Sequence, residues 1–207
     1  MMEIRMLDAA GAAAHAAPLR ALLLDAVAHG ASVGFTATID EAAADAYWNE
    51  VRAALAEGSR VLLVAWRDHV LVGTVQLDLC RKPNGQNRAE VQKLLVHSGA
   101  RRGGAATALM EALEVQALAL KRGLLFLDTE AGSSAEALYQ RLGYTRVGEL
   151  PEYCATPDGH WRATAIYYKT LFVASARARS RPEIASWGRE APMRSSCVPG
   201  RYAAAPA

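Results

Sequence analysis

Cysteine is scarce in this chain: Cys80, Cys154 and Cys197 stand far apart among 207 residues. An odd number with no CxxC pair argues against a disulfide framework and a cysteine-based zinc site, and predicts a reducing compartment. Long apolar runs are missing as well. No stretch reaches the roughly 18 residues a membrane helix needs, and the opening MMEIRMLDAA lacks the basic-then-apolar layout of a secretion signal. A cytoplasmic protein with no membrane contact is the expectation. Charge of one sign is also lacking, since 23 Lys+Arg against 21 Asp+Glu leave a net +2. The five histidines (His15, His29, His69, His97, His160) show no ligand spacing, so no metal is expected.

What is present is a chain 52% hydrophobic, long enough to bury roughly 70% of its unfolded surface as one domain without staples. Its positive charge is concentrated at the end. Residues 175–207 carry Arg177, Arg179, Arg181, Arg189, Arg194 and Arg201 against Glu183 and Glu190, in an Ala/Ser/Pro-rich setting with no sustained period. This reads as a folded domain over residues 1–173 followed by a disordered tail over 174–207. Scattered arginines without interleaved aromatics do not make a nucleic-acid arm, and no nucleic-acid partner is expected.

Hydropathy periods predict an α/β chain with a mixed sheet of about seven strands and helices on both faces. Strands are expected over residues 3–7, 60–66, 70–80, 88–96, 124–128, 144–150 and 164–171. The second and third form a hairpin through Arg67, Asp68 and His69. A helix is expected over residues 12–28, a second up to residue 56 capped by Asp40, a third from Ala106 to about Arg122, and a fourth capped by Ser133 or Ser134. In the third the apolar stripe is Ala106, Leu109, Met110, Leu113, Ala117 and Leu120, and Gly123 is expected to end it in the left-handed conformation. The fourth strand should set Ala89, Val91 and Lys93 against Glu90, Gln92 and Leu94.

Arg101, Gly104 and Ala106 spell R-x-x-G-x-A between a strand and a helix start. Small residues there let unpaired amides approach a phosphate, and the helix dipole favours the anion. Neither a P-loop nor a dinucleotide fingerprint is present. The stretch VQKLLVHSGARRGGAATALMEALE, with Ala135-x-x-Leu138-Tyr139-x-x-x-Gly143-Tyr144 further on, resembles the core of the GCN5-related N-acetyltransferase (GNAT) superfamily. That resemblance implies four helices around a mostly antiparallel sheet splayed between its fourth and fifth strands, and acetyl-CoA as co-substrate. It places acetyl-CoA on Leu94, Leu95, Val96, Arg101, Arg102, Gly103, Gly104, Ala105, Ala106, Thr107 and Ser134. It also implies that Tyr139 reaches the cofactor sulfur. One departure is Gly132, where the superfamily often has an Asn contacting the cofactor arm.

Four further segments, residues 30–35, 82–94, 121–133 and 144–159, are similar to members that acetylate the amino group of an amino-acid-like β-lactam toxin. A small amine is therefore the expected acceptor. The alternatives are another small amine, a protein N-terminus, or acyl-CoA binding without turnover. An ammonium acceptor must lose a proton before it attacks a thioester, so a base is needed. Glu90 and Asp128 are the candidate base and partner, and Tyr139 the candidate acid. An ordinary Glu titrates near ~4.3, so Glu90 needs burial, a like-charged neighbour or a relaying water; an ion pair with Lys93 is the competing role. Glu130 is a further carboxylate for an ammonium. Ser32, Val33 and Phe35, in the loop between the first two helices, are expected to select the substrate. Tyr153, Trp161 and Tyr168 line the acceptor pocket or pack the sheet, and a monomer or homodimer is expected.

Overall fold

The computed structural model of the protein describes residues 1–172; the tail expected over 174–207 lies outside them. Seven strands form one sheet: β1 (Met2–Leu7), β2 (Arg60–Arg67), β3 (Val70–Leu79), β4 (Arg88–Val96), β5 (Leu124–Glu130), β6 (Thr145–Ala155) and β7 (Trp161–Thr170), in the order β1-β2-β3-β4-β5-β7-β6. Every neighbouring pair is antiparallel except β4 and β5. The β2–β3 hairpin turns on Asp68 (φ 50°) and His69 (φ 67°), the two left-handed residues of a turn whose twist matches its strands.

Among the described residues five α-helices flank the sheet: α1 (Ala9–Ala14), α2 (Ala16–Ala28), α3 (Glu41–Ala56), α4 (Ala105–Ala119) and α5 (Ser134–Arg141). Four were expected, because residues 12–28 read as one helix. The chain breaks at His15 (φ −113°, ψ 26°), and Pro18 is the reason: its ring would clash with the Ala14 carbonyl and it has no N–H to donate. Asp8 and Asp40 cap α1 and α3, accepting from Gly11 N and Ala43 N, each at 2.7 Å.

Two cores result. Leu19, Leu22, Leu23, Trp48 and Val51 of α2 and α3 bury against Leu62, Val64 and Leu95 on one face. Leu109, Met110 and Leu113 of α4 bury against Leu125, Leu127 and Tyr167 on the other. Each fully buried leucine contributes roughly 1.5–3 kcal/mol.

The α4 stripe starts at buried Ala105 rather than Ala106, and Leu120 is exposed. The helix also ends earlier than residue 122, and Lys121 (φ 57°), not Gly123, takes the left-handed position. Gly123 is small for another reason: a Cβ there would lie 2.1 Å from the Phe172 ring. Ser133 precedes α5 without a side-chain capping bond; instead Glu136 reaches back to Gly132 N at 2.7 Å. Strands β5, β6 and β7 run further than expected, β5 through Glu130.

Candidate active site

The β4–β5 ladder is three residues long, Arg88↔Leu124, Ala89↔Leu125 and Glu90↔Phe126. Beyond Glu90 the two strands part, leaving facing backbone groups without strand partners. β4 also carries a bulge. Thr74 pairs with Leu95 but Gln76 with Gln92, so β4 has one residue more than β3 there, and Lys93 takes φ 49°. This corrects the expected alternation. Ala89 and Val91 face the α4 core, but Lys93 lies on the opposite side, its ammonium 5.7 Å from the centre of the Tyr47 ring, while Leu94 packs against the α4 core.

Glu90 is half-buried, opposite Asp78 on β3 and Phe126 on β5. Burial pushes its carboxyl above the ordinary value; a hydrogen bond from Gln92 opposes this, the charges of Asp128 and Asp78 add to it, and Lys93 opposes it. Asp128 points to the same face, opposite buried Leu125 and Leu127, and its Oδ2 lies 3.0 Å from the Thr164 hydroxyl. Tyr139, on α5, is 6% exposed, with Tyr144 edge-on at 5.8 Å. Burial and then the Asp128 charge raise its phenol well above the usual range. One carboxylate on β5 thus acts on a group from β4 and another from α5. Tyr153 joins them: its phenol is raised first by Asp128, then by burial and Glu90.

The splay leads to the start of α4. Arg101, Arg102, Gly103 and Gly104 are exposed, Arg102 and Gly104 have φ 59° and 83°, and no side chain caps the helix. The amides of Ala105, Ala106 and Thr107 therefore lack intrahelical partners and face outward beside two cations. Gly103 is held by Arg67, whose guanidinium donates to its carbonyl at 3.0 Å. This loop fits a pyrophosphate-bearing ligand. Leu95, by contrast, is 2% exposed within the α2–α3 core, so only its backbone faces the splay. Ser134 opens α5.

On the acceptor side, Ser32 Oγ lies 3.3 Å from Cys154 Sγ. Val33 and Phe35 pack on the α2–α3 core, Phe35 edge-on to Tyr47 at 5.5 Å. Glu130 lies elsewhere, in a cleft of about 590 Å³ between the end of α2, the loop before α3 and the β6–β7 turn. That cleft is closed by Ala37 N donating to the Pro157 carbonyl at 2.9 Å. Trp161 and Tyr168 are 66% and 37% exposed. Arg162, which also lines the cleft, was not among the candidates, and Lys93 was named only as an ion-pair partner for Glu90; Tyr153 was among them, with sheet packing as its alternative. Lys93 was hidden because a period-2 reading takes no account of a bulge; Arg162 carries no local sequence signal.

A single parallel step opening into a splay, followed by an uncapped helix start, is the arrangement that the resemblance to N-acetyltransferases implies. The Acetyltransferase (GNAT) family profile matches residues 24–144, and the chain belongs to that family. Among solved structures it is similar to an N-acetyltransferase from Staphylococcus aureus Mu50, with 20% identity, TM-score 0.69, and 83% of this chain and 99% of that one covered. A ribosomal-protein-alanine N-acetyltransferase from Brucella melitensis matches at 25% identity and TM-score 0.68, covering 82% and 99%. A putative acetyltransferase from Salmonella typhimurium, solved with its cofactor acetyl-CoA, matches at 22% and TM-score 0.68, covering 84% and 96%. No helix among the described residues is long and apolar enough to cross a membrane.

Proposed function

We propose that this acetyltransferase moves an acetyl group from acetyl-CoA to the amino group of a small amino-acid-like acceptor, directly, within a ternary complex. The observation that carries the reading is the shared field of Asp128 on Glu90 and Tyr139 at the mouth of the splay. The Salmonella structure's bound acetyl-CoA supports the choice of donor.

Acetyl-CoA supplies the thioester-activated acyl group. The amides of Ala105, Ala106 and Thr107, with Arg101 and Arg102, hold the pyrophosphate, and Gly104 lets backbone approach it. Leu94, Leu95, Val96 and Ser134 flank the pantetheine arm. Glu90, made more basic by burial and by Asp128, takes the proton from the acceptor's ammonium. Tyr139, buried and protonated, gives its proton to the departing sulfur as the carbon–sulfur bond breaks, and the second proton that the acceptor nitrogen sheds as the amide forms restores the phenol. Ser32 orients the acceptor loop through Cys154, while Val33 and Phe35 fix that loop to the core.

Among acceptors, tabtoxinine-β-lactam is the candidate suggested by the segments at residues 30–35, 82–94, 121–133 and 144–159, which resemble the tabtoxin resistance protein. The Brucella relative's name favours a second reading, a protein N-terminus. Release of free thiol from acetyl-CoA, measured with the toxin, simple amino acids and an alanine-led peptide, decides between them. Saturable turnover on the toxin or an amino acid supports the proposal; turnover on the peptide alone overturns the acceptor assignment.

A further inference from the structure

The cleft beside the splay carries opposite charges that the mechanism above does not use. Glu130 and Arg162 both line it, together with the aliphatic wall of Leu24, Val27 and Ile39. The third charged lining residue, Asp158, is engaged in its own turn, accepting from the Thr156 hydroxyl. Arg162 forms no salt bridge among the described residues, and neither does Glu130. They do not neutralise one another, although they are near neighbours. Glu130 pairs with Thr164 across β5 and β7, and Arg162 lies two residues along β7 from Thr164. Strand alternation thus puts Glu130 and Arg162 on one face, about 7 Å apart along the strand direction.

Asp128 shares that face, two residues before Glu130 on β5, again about 7 Å away. The arrangement is a line: a carboxylate at the splay, then a carboxylate and a guanidinium in the cleft. We infer that the cleft binds the zwitterionic head of an α-amino acid, its ammonium on Glu130 and its carboxylate on Arg162. A second, distal amine of the same molecule then reaches Asp128 and Glu90. The acceptor class is a diamino acid of lysine or ornithine length, acetylated on its side-chain nitrogen. The spacing selects this class over amino acids that react at the α-amine, because one carbon cannot place its ammonium at the splay and its carboxylate at Arg162. The planar guanidinium suits a carboxylate, which it grips with two parallel hydrogen bonds.

This inference rests on the acetyl-transfer reading, and three acceptors dissect it. L-lysine presents all three groups, cadaverine lacks the carboxylate, and 6-aminohexanoate lacks the α-ammonium. With the full-length chain and thiol detection, wild-type kcat/KM should favour lysine over each partial acceptor by roughly 10- to 100-fold. Arg162→Ala should erase most of the preference over cadaverine, and Glu130→Gln most of the preference over 6-aminohexanoate, each through KM. Mass spectrometry of the product should place the acetyl group on the distal nitrogen. Equal use of the three acceptors, acetylation at the α-nitrogen, or loss of all three alike in both variants overturns the inference. Preference for tabtoxinine-β-lactam over lysine also overturns it and leaves the acetyl-transfer reading standing. No turnover of any amine removes that reading and the inference together.

Discussion

Replacing Tyr139 with Phe separates function from stability at a single atom. The ring stays, so its contacts with Tyr144 at 5.8 Å and Tyr167 at 6.0 Å are kept. The hydroxyl has no hydrogen-bond partner among the described residues, and its phenol is lifted by burial and by the Asp128 charge. With a pKa above the ordinary value near 10, less than about 1% of it is ionised at pH 8, so the proton is in place throughout the working range. Loss of a general acid costs about 10²–10⁴ in turnover. Removal of a hydroxyl that pairs with no described residue is close to neutral for folding, within about 1 kcal/mol, or about 2–4 °C in Tm for a domain of this size. Thiol release under saturating acetyl-CoA should therefore collapse while acetyl-CoA affinity by calorimetry and the melting curve hold. Turnover within threefold of wild type would remove Tyr139 from the chemistry, and a large drop in Tm would show that the hydroxyl anchors the fold.

Because Glu90, as the proposed base, must be ionised to act, kcat/KM should be present at neutral pH and fall as pH drops through its raised pKa. In Asp128→Asn the acidic limb should move to lower pH, since a charge that raises Glu90 is gone; an unmoved limb in the pH profile would separate the two residues. Gly104→Val should cost about 1–2 kcal/mol in urea unfolding, because its φ of 83° suits no β-branched residue while nothing crowds its Cβ. The same variant should weaken acetyl-CoA binding at least tenfold by calorimetry, and an unchanged Kd would clear the loop of that duty. Asp25 accepts from Ser98 N and Oγ, both at 2.7 Å, so Asp25→Ala should lose roughly 1–3 kcal/mol at pH 7. Burial alone would raise the Asp25 carboxyl, but the Ser98 bonds with His97 and His29 outweigh it and hold it below its ordinary value. That contribution is present at neutral pH and is lost as pH falls through the lowered pKa, so wild type and variant should converge in acid. Parallel curves at every pH would refute the linkage.

The sheet, its helices and the loop at Arg101 were legible because their periods and glycines act locally. Asp40 before α3 and Gly143 after α5, with φ 80°, sit where capping rules put them. The exceptions arise where a distant contact overrides a local rule. Gly123 looked like a helix stop, but its role is set by Phe172, far along the chain. Pro18, by contrast, is a local signal that the apolar spacing of residues 12–28 masks, and in the structure it does break the helix at His15. The face of Lys93 depends on a bulge measured against β3, which β4 alone does not reveal. Arg162 and Glu130 come together through the β5–β7 register, a pairing no single segment encodes.

The three-residue ladder between β4 and β5 has a mechanical consequence. It makes the sheet two plates, β1 to β4 and β5 to β7, stitched along a short seam, with α4 lying after the last strand of the first plate and before the first strand of the second. A ligand seated in the gap acts as a brace across both plates, so its binding energy doubles as rigidity. At a donor concentration of 100 times Kd such bracing adds about 2.7 kcal/mol to the folded state, and in a cell rich in acyl donor the loaded form is the one that resists unfolding.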